Sequence, residues 1–407
     1  MVIGMRWQGK LQTLELQAFD LLMRQQPIIG RDKRLVVVSI TQEDINHLKQ
    51  PDNETDRTLR SLSDRTLDRL VGILEKHQPR VIGLDLFRPG DVDGRKYPNL
   101  EASLKQGDLV TVCNPPSEFD EREIAAPQSS HKKNIGFASV LLDEDDVIRR
   151  HLMLRRVKDK KFCKKINNVP SFSLRLALSY LQKKGITRQD RPEDDFLKLG
   201  EVRLPPFNPH SGGYHKDLKL HKTFQIVINY RPYSEHEDIA KIISVKNLLD
   251  NPEIAQEAKN KIVLIGRTDS VNDKYKTPYT TEHYEKLPGV LVHAQIVSQI
   301  IDAVENKRPL IWNWPWWGDA LWIWCWSFTG GAIAWTFHLK RSRQFQSLLT
   351  LVFSGVVTFI ILHGLCWYCL KQGVWIPLVP SRLALLIPIM TSFLKAIIAP
   401  LKSLSKH

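Results

Sequence analysis

Carboxylates follow two strand-like runs of this chain. Asp85 lies near the C-terminal end of the apolar run Arg80–Phe87, and Asp269 and Asp273 lie in the loop that follows Lys261–Gly266. Ligands of open α/β sheets bind beyond the carboxyl ends of the strands, so these aspartates are candidate ligand-binding residues. The alternative for Asp85 is a structural role, in which its carboxylate caps the turn after the strand.

Arg88 and His293 extend this candidate site. Arg88 closely follows Asp85, and His293 lies on the predicted helix Gly289–Glu305. Three aspartates and a histidine gathered at strand ends could perform acid–base or metal chemistry, which makes a membrane-tethered hydrolase one alternative. The sequence holds no nucleophile motif, phosphate-binding loop or zinc-protease helix, so we predict a protein that is not an enzyme and needs no cofactor.

Two segments could hold a metal ion, although neither has the spacing of a known site. The acidic turn Asp143–Asp146 could hold a hard cation but lacks the glycine of a calcium loop, so we expect a solvated hairpin. His210, His215 and His221 lie near Gly212–Gly213, loosely spaced and without an accompanying cysteine. We therefore predict no metal site.

The chain has five cysteines, three of which lie in apolar C-terminal stretches: Cys325, Cys366 and Cys369. Cys113 and Cys163 remain, and their spacing does not suggest a zinc site. We expect two free thiols there and keep a disulfide as the alternative, since disulfides persist outside the cytoplasm.

Apolar runs predict the elements that position these residues. Strands are predicted for short runs rich in β-branched residues, namely Leu35–Ile40, Arg80–Phe87, Leu109–Cys113, Phe224–Tyr230 and Lys261–Gly266. Helices are predicted where capping residues precede apolar residues at helical spacing, namely 64–77, Ser171–Lys184 and Gly289–Glu305. Strands that alternate with helices predict an α/β domain with a mostly buried sheet flanked by helices.

The last ninety residues contain three long apolar stretches, from Ala320 to Phe337, from Ser347 to Leu370 and from Trp375 to Leu394. A helix of about 20 apolar residues crosses a bilayer, so we predict three transmembrane helices within residues 313–400, at about 318–338, 347–370 and 375–397. Arg382 interrupts the third stretch and must lie near an interface or face the other helices.

Basic residues orient these spans. Lys340, Arg341 and Arg343 crowd the first short loop, whereas only Lys371 lies in the second. An excess of Lys and Arg marks the cytoplasmic side, so residues 1–312 are predicted outside and residues 401–407 form a short cytoplasmic tail.

The N-terminal segment and the distribution of charge limit which partners the chain can have. Residues 1–27 are amphipathic and lack the apolar core of a signal peptide, so we expect an upstream anchor to export the domain. The formal net charge is +14, but the basic residues are scattered among acidic ones, so we predict no nucleic-acid partner.

Seven runs occur in an order that is informative: Glu15–Arg24, Leu35–Ile40, Arg80–Phe87, Ile226–Pro232, Lys261–Gly266, Asp273–Pro278 and Leu287–Gln295. Together with the three apolar stretches, they resemble the second type of CHASE domain, the cyclase/histidine-kinase-associated sensory extracellular domain. The resemblance implies an extracytoplasmic sensory domain in a bacterial inner membrane, followed by an output domain such as a kinase or nucleotide cyclase. The chain departs from this pattern because it ends at His407, so we expect a signal to pass to a separate partner.

These observations together predict a multi-pass sensor in the bilayer, which binds an unknown small molecule or protein outside the cytoplasm. The helix Gly289–Glu305 runs almost directly into the first span, so we expect it to relay the signal to a separate partner or within a homodimer. The second alternative is a structural subunit of a membrane complex, because Ser354, Gly355 and Gly364 give the second span small faces suited to helix contacts.

Overall fold

The computed structural model describes residues 1–48, 62–106, 109–115, 124–156, 163, 166, 168–189, 196–204, 212–215, 224–305, 307–339 and 344–404. The chain divides into two compact units. The larger unit comprises residues 27–207 and 222–310, and the smaller comprises residues 1–26, 208–221 and 311–407.

The described helices, numbered in chain order, are α1 (Val2–Trp7), α2 (Gln12–Arg24), α3 (Gln42–His47), α4 (Asp64–Lys76), α5 (Pro98–Gln106), α6 (Phe172–Gln182), α7 (Val245–Asp250), α8 (Gly289–Val304), α9 (Trp316–Leu339), α10 (Gln344–Lys371) and α11 (Val379–Leu404). The described strands are β1 (Leu35–Ile40), β2 (Val81–Asp85), β3 (Leu109–Cys113), β4 (Ile135–Phe137), β5 (Arg150–Leu152), β6 (Leu154–Arg156), β7 (Asn168–Pro170), β8 (Leu197–Leu199), β9 (Val202–Leu204), β10 (Gln225–Val227), β11 (Lys241–Ser244), β12 (Ile262–Arg267), β13 (Lys274–Tyr275), β14 (Leu287–Pro288), β15 (Trp312–Asn313) and β16 (Val374–Trp375).

The larger unit is built on a parallel sheet of six strands in the order β11-β1-β12-β2-β3-β4. Its central strands are apolar on both faces because helices cover both, which is why β1, β2 and β12 read as continuous apolar runs. The predicted α/β fold with a mostly buried sheet is confirmed. In the register of β12 and β2, Asp85 lies beside Gly266 at the carboxyl edge.

Alternate residues of the strands face two helical layers. Val36, Val38 and Ile265 share one apolar cluster with α4, α5 and α7, whereas α6 and α8 pack on the opposite face. Glycine permits the close approach of α6, because a β-carbon at Gly136 would lie 2.6 Å from the Cα of Phe172. The N-cap predicted for α6 is confirmed, since the Ser171 hydroxyl accepts a hydrogen bond from the Leu174 amide at 3.1 Å.

A disulfide joins Cys113 at the end of β3 to Cys163. The expectation of two free thiols was therefore wrong. Both cysteines are buried in an apolar cluster with Ile135, Phe137 and Val169, and the fold brings their Cα atoms to 5.7 Å. A disulfide of this kind is characteristic of domains that fold outside the cytoplasm.

The acidic turn at residues 143–146 is a partner of arginines. The buried Asp143 binds Arg149 at 3.0 Å and Arg150 at 2.6 Å, and Asp145 binds Arg149 at 2.6 Å. The predicted solvated hairpin is confirmed for Glu144 and Asp146, which are exposed, but not for Asp143, because the almost completely buried Arg149 needs carboxylates to compensate its charge. These guanidinium groups occupy the carboxylate oxygens that a cation would have used.

The smaller unit places α1 and α2 against the long helices α9, α10 and α11. In the described part of the chain, Leu348–Lys371 is the one helix long and apolar enough to cross a membrane. The other two predicted spans are helical but do not meet this measure, since α9 is rich in indole rings and α11 contains prolines and Arg382. The third helix begins at Val379, later than expected from sequence, because Trp312–Asn313 pairs with Val374–Trp375 as a short parallel ladder.

Arg382 faces the neighbouring helix, as the sequence required. Its guanidinium lies 4.4 Å from the ring centroid of Phe359, and its Nη2 lies 2.7 Å from Nδ1 of His363 on α10. The second ring nitrogen of that imidazole, His363 Nε2, lies 2.8 Å from Oε1 of Gln25, the residue that follows α2. The basic loop at residues 340–343 lies outside the described residues.

Of the three histidines near Gly212–Gly213, His210 and His221 lie outside the described residues. His215 is buried with its Nε2 3.1 Å from the Gly212 carbonyl. Glycine at 212 serves packing, because a β-carbon there would lie 2.5 Å from the Trp375 ring.

Candidate functional site

The first turn of α8 lies at the carboxyl edge of the parallel sheet and forms the floor of the candidate site. Gly266 at the end of β12 lies against Val290, and a β-carbon on it would also lie 3.3 Å from Cβ of Asp85. A β-carbon at Gly289 would lie 2.6 Å from the Asp273 carboxylate. Gly266 thus lets Val290 of α8 pack against the end of β12 beside Asp85, and Gly289 lets the Asp273 carboxylate approach the start of α8, where the helix dipole favours negative charge.

His293 lies one turn further along α8 and is enclosed by protein. Its Nδ1 is 2.8 Å from the Ser173 hydroxyl, and the ring also bonds to the backbone of Ala138. The ring of Phe172 packs edge-on at 5.1 Å between centroids. Burial lowers the pKa of His293 to about 4, although Asp273 acts in the opposite direction, so the imidazole is neutral at physiological pH.

His151 on β5 lies beside His293 and was not identified from sequence. Its ring is perpendicular to that of His293 at 6.5 Å between centroids, and the side chain is 1% exposed. Neither ring nitrogen has a hydrogen-bond partner among the described residues. A neutral imidazole offers one donor and one acceptor, and leaving such groups buried and unpaired costs about 1–3 kcal/mol each.

Asp85 lies nearer to solvent, at the open side of the edge. Its side chain is partly exposed, and burial by the surrounding protein raises its pKa to about 7. No cationic side chain among the described residues forms an ion pair with it. The edge therefore leads from a partly exposed carboxyl group at Asp85 towards the buried imidazoles.

Two of the five predicted residues lie elsewhere. Arg88 pairs with Asp64 and donates to the Leu62 carbonyl at 2.6 Å, which ties it to the start of α4. Asp269 accepts a hydrogen bond from Arg267 at 2.9 Å and another from the Gln42 amide, so it closes its own loop against α3. Asp85, Asp273 and His293 are the three that the fold brings to α8.

The candidate site places one hydroxyl beside two imidazoles. Ser173 and His293 form the hydroxyl–imidazole pair that serine hydrolases use, and both side chains are buried. No group of three or more metal-ligating side chains occurs in the described ranges. The site offers instead neutral donors and acceptors inside and carboxyl groups at its edge.

A second polar network fixes the other end of α8. Gln295 bonds to both the backbone amide and the carbonyl of Arg231, at 2.8 and 2.9 Å. Two turns further along α8, Asp302 pairs with Arg34 and, at a distance of 3.0 Å, with Arg231. It also lies 3.2 Å from Nε of Arg308. The C-terminal half of α8 is thereby tied to the segments before β1 and after β10.

The buried imidazoles predict acid sensitivity of the larger unit. The pKa values of His151 and His293 are about 3 and about 4 in the folded protein, against an ordinary value of 6.5, so the unfolded state binds more protons between these limits. Stability is therefore complete above pH 6.5 and is lost as pH falls, by about 1.4 kcal/mol per pH unit for each imidazole.

We expect His151→Phe to lose less stability on acidification than the unchanged chain, measured by hydrogen exchange of the sheet between about pH 7 and pH 5. Comparison with the unchanged chain cancels the opposing contribution of carboxyl groups such as Asp85. His283→Phe, which removes an exposed imidazole, is the matched control. Identical acid dependence in all three proteins would show that His151 does not stay neutral in the fold.

The family model described as the CHASE2 domain matches residues 1–332. No curated protein and no solved structure shows significant similarity to the chain. The match covers the whole parallel sheet, the candidate site and the start of α9.

Proposed function

Because the chain belongs to the CHASE2 domain family, a family of extracellular sensory domains, we propose that it is a membrane-anchored sensor whose ligand binds at the start of α8. The signal passes along α8 into the membrane helices and on to a separate signalling partner or a second copy of the chain. The protein is not an enzyme in this proposal and binds no nucleic acid.

The observation that carries the proposal is the unpaired imidazole of His151. A buried polar group without a partner is costly, and a fold retains it where something else completes its hydrogen bonds. His151 lies next to His293 on α8, which places a bound group against the helix itself. The proposed ligand therefore carries a donor or an acceptor that meets a neutral imidazole.

α8 is the relay because it connects the site to the chain segment that enters α9. Its first turn carries Gly289 and His293, its last carries Asp302, and residues 305–310 continue to Ile311. A ligand acts only by binding two states with different affinity. The buried hydrogen bonds and ion pairs of Asp302 and Gln295 stabilise one position of α8. A ligand that binds beside His293 stabilises or destabilises that position.

We assign the chain to a bacterial inner membrane, with three spans, the sheet-containing unit outside and the C-terminus in the cytoplasm. Leu348–Lys371 supports the membrane assignment by length and composition, and the disulfide supports an oxidising compartment. The ladder between Trp312–Asn313 and Val374–Trp375 places the start of α9 and the loop before α11 at one end of the helices, as alternating spans require.

Reporter fusions test this topology. A reporter active only outside the cytoplasm and one active only inside are fused in turn at Gly200 and after His407, with and without the upstream reading frame. We expect position 200 to report outside and position 407 inside. A cytoplasmic signal at Gly200 in both contexts contradicts the extracytoplasmic sensor.

Ligand binding is tested on the full chain in detergent. The low-molecular-weight fraction of spent growth medium is expected to raise the thermal unfolding midpoint, because a ligand at about 100 times its Kd stabilises by about 2.7 kcal/mol. His151→Phe should abolish the increase while leaving the protein folded, and His283→Phe should retain it. An equal increase in His151→Phe would place the ligand elsewhere.

A further inference from the structure

A second enclosed polar cluster lies in the smaller unit, apart from the candidate ligand site. Arg6 of α1, Glu15 of α2 and Asp319 in the first turn of α9 are 6%, 2% and 1% exposed. Buried charges need compensation, because an uncompensated ion inside a protein is strongly unfavourable. How the three groups compensate one another determines what the cluster can bind.

Each of the three side chains makes at least one hydrogen bond. Arg6 Nη2 donates to Asp319 Oδ2 at 2.7 Å and to the Gly212 carbonyl at 2.7 Å. Glu15 Oε1 accepts from the backbone amide of Val379, the first residue of α11, at 2.9 Å. The cluster thus touches the N-terminal ends of two of the three long helices.

Each of the three side chains also has one polar atom without a hydrogen-bond partner among the described residues. Glu15 Oε2, Asp319 Oδ1 and Arg6 Nε are all buried and make no hydrogen bond there. Two carboxyl groups face one guanidinium, so the ionised cluster would carry one excess negative charge away from water. Two neighbouring carboxyl groups relieve such an excess by holding one proton between them.

We propose that Arg6, Glu15 and Asp319 form a proton-binding site, in which Glu15 carries the proton that balances the cluster. The protonated carboxyl keeps Oε1 as the acceptor for Val379 and presents a hydroxyl at Oε2. One buried water can then link Oε2, Asp319 Oδ1 and Arg6 Nε, since a water molecule donates two hydrogen bonds and accepts others.

The surrounding groups are consistent with a proton on Glu15. Burial is the largest influence and raises the pKa of Glu15 to about 7, Arg6 opposes this, and Asp319 adds to it. His215 shares the Gly212 carbonyl with Arg6, and the Cys366 thiol of α10 lies within the electrostatic reach of Glu15. Arg382 and His363, which bond to each other, are further titratable groups on the packed elements, as are Asp20 and Arg24 of α2 and Cys369 of α10.

Ionisation of Glu15 would couple external pH to the membrane helices. Loss of the proton leaves an excess negative charge beside Asp319 on α9 and at the amide that starts α11. The folded state binds this proton more tightly than the unfolded state, so the stability it contributes is present at low pH and is lost as pH rises through about 7.

Infrared difference spectroscopy of the full chain in lipid nanodiscs tests the proposal. The carbonyl band of a protonated, buried carboxylic acid should be present at about pH 5 and disappear on titration to about pH 9, with a midpoint near neutrality. Glu15→Gln should reduce this band by the contribution of one carboxylic acid, and Glu43→Gln, which alters an exposed glutamate, should leave it unchanged.

Asp319→Asn provides the second variant. Removal of the neighbouring carboxylate makes ionisation of Glu15 easier, so the midpoint should move to lower pH by about one unit. The proposal is overturned if the unchanged chain shows no such band, if Glu15→Gln leaves the band undiminished, or if Asp319→Asn leaves the midpoint of the Glu15-dependent part of the band where it was.

Discussion

Replacing Cys113 with serine is expected to destabilise the sheet-containing unit by about 4 kcal/mol. The disulfide to Cys163 closes a loop with a sequence separation of 50, and a cross-link of this length removes about that much chain entropy from the unfolded state. The loss is large against a total stability of about 5–15 kcal/mol for a typical domain. We expect the protein to accumulate less well and to become sensitive to proteolysis.

Hydrogen exchange monitored by mass spectrometry gives the measurement, since it resolves β1, β2 and β12 within the full chain. All 11 tryptophans lie within residues 1–26 and 311–407, so tryptophan fluorescence reports on the smaller unit and serves as an internal reference. Cys325→Ser, which removes a free exposed thiol, is the matched control. Exchange in β1 equal to that of Cys325→Ser would mean that the disulfide does not stabilise the sheet.

Asp302→Asn is expected to destabilise the same unit by about 3–5 kcal/mol, because it leaves buried arginines without their shared carboxylate. Asp302 is 2% exposed, pairs with Arg34 and Arg231, and lies 3.2 Å from Arg308. Asparagine preserves the shape of the side chain, so the effect isolates the charge.

The same exchange measurement should show faster opening of α8, most strongly in its C-terminal half. Asp250→Asn, at the exposed end of α7, should change neither the sheet nor α8. Asp32 pairs with Arg34 and Arg231, and Glu305 pairs with Arg34. Unaltered protection of α8 in Asp302→Asn would show that these two carboxylates suffice to compensate the arginines. The proposed relay through α8 would then lack its anchor.

The five predicted site residues separate according to how their positions are determined. Asp85 and Asp273 follow parallel strands, and His293 lies on the helix that begins at the same edge of the sheet. Because the carboxyl ends of parallel strands lie at one edge, sequence reasoning could place all three residues together. Arg88 and Asp269 also follow strands, but Arg88 pairs with Asp64 of the preceding helix α4 and Asp269 pairs with the nearby Arg267. The sequence could not distinguish these two residues from the other three, because it does not show which neighbouring side chain lies closest to each of them in the folded protein.

His151 shows the kind of residue that sequence could not supply. It lies on a three-residue strand whose antiparallel partner, around Ile226, is far along the chain. The sequence predicted a solvated hairpin at the acidic turn before this strand, yet Asp143 compensates Arg149 and Arg150 and the strand is buried. Only the pairing of β5 with β10 brings His151 to His293.

The sequence by itself determined β1, β2, β3 and β12 of the parallel sheet, the helices α4, α6 and α8, the apolar character of the C-terminal helices and the family. These follow from the period and length of apolar runs, which are local properties of the chain. The tertiary structure alone decided the Cys113–Cys163 disulfide, the imidazole pair at α8 and the enclosure of Glu15 with Arg6 and Asp319. Each depends on which distant segments meet, and burial changes the chemistry of a side chain only after they have met.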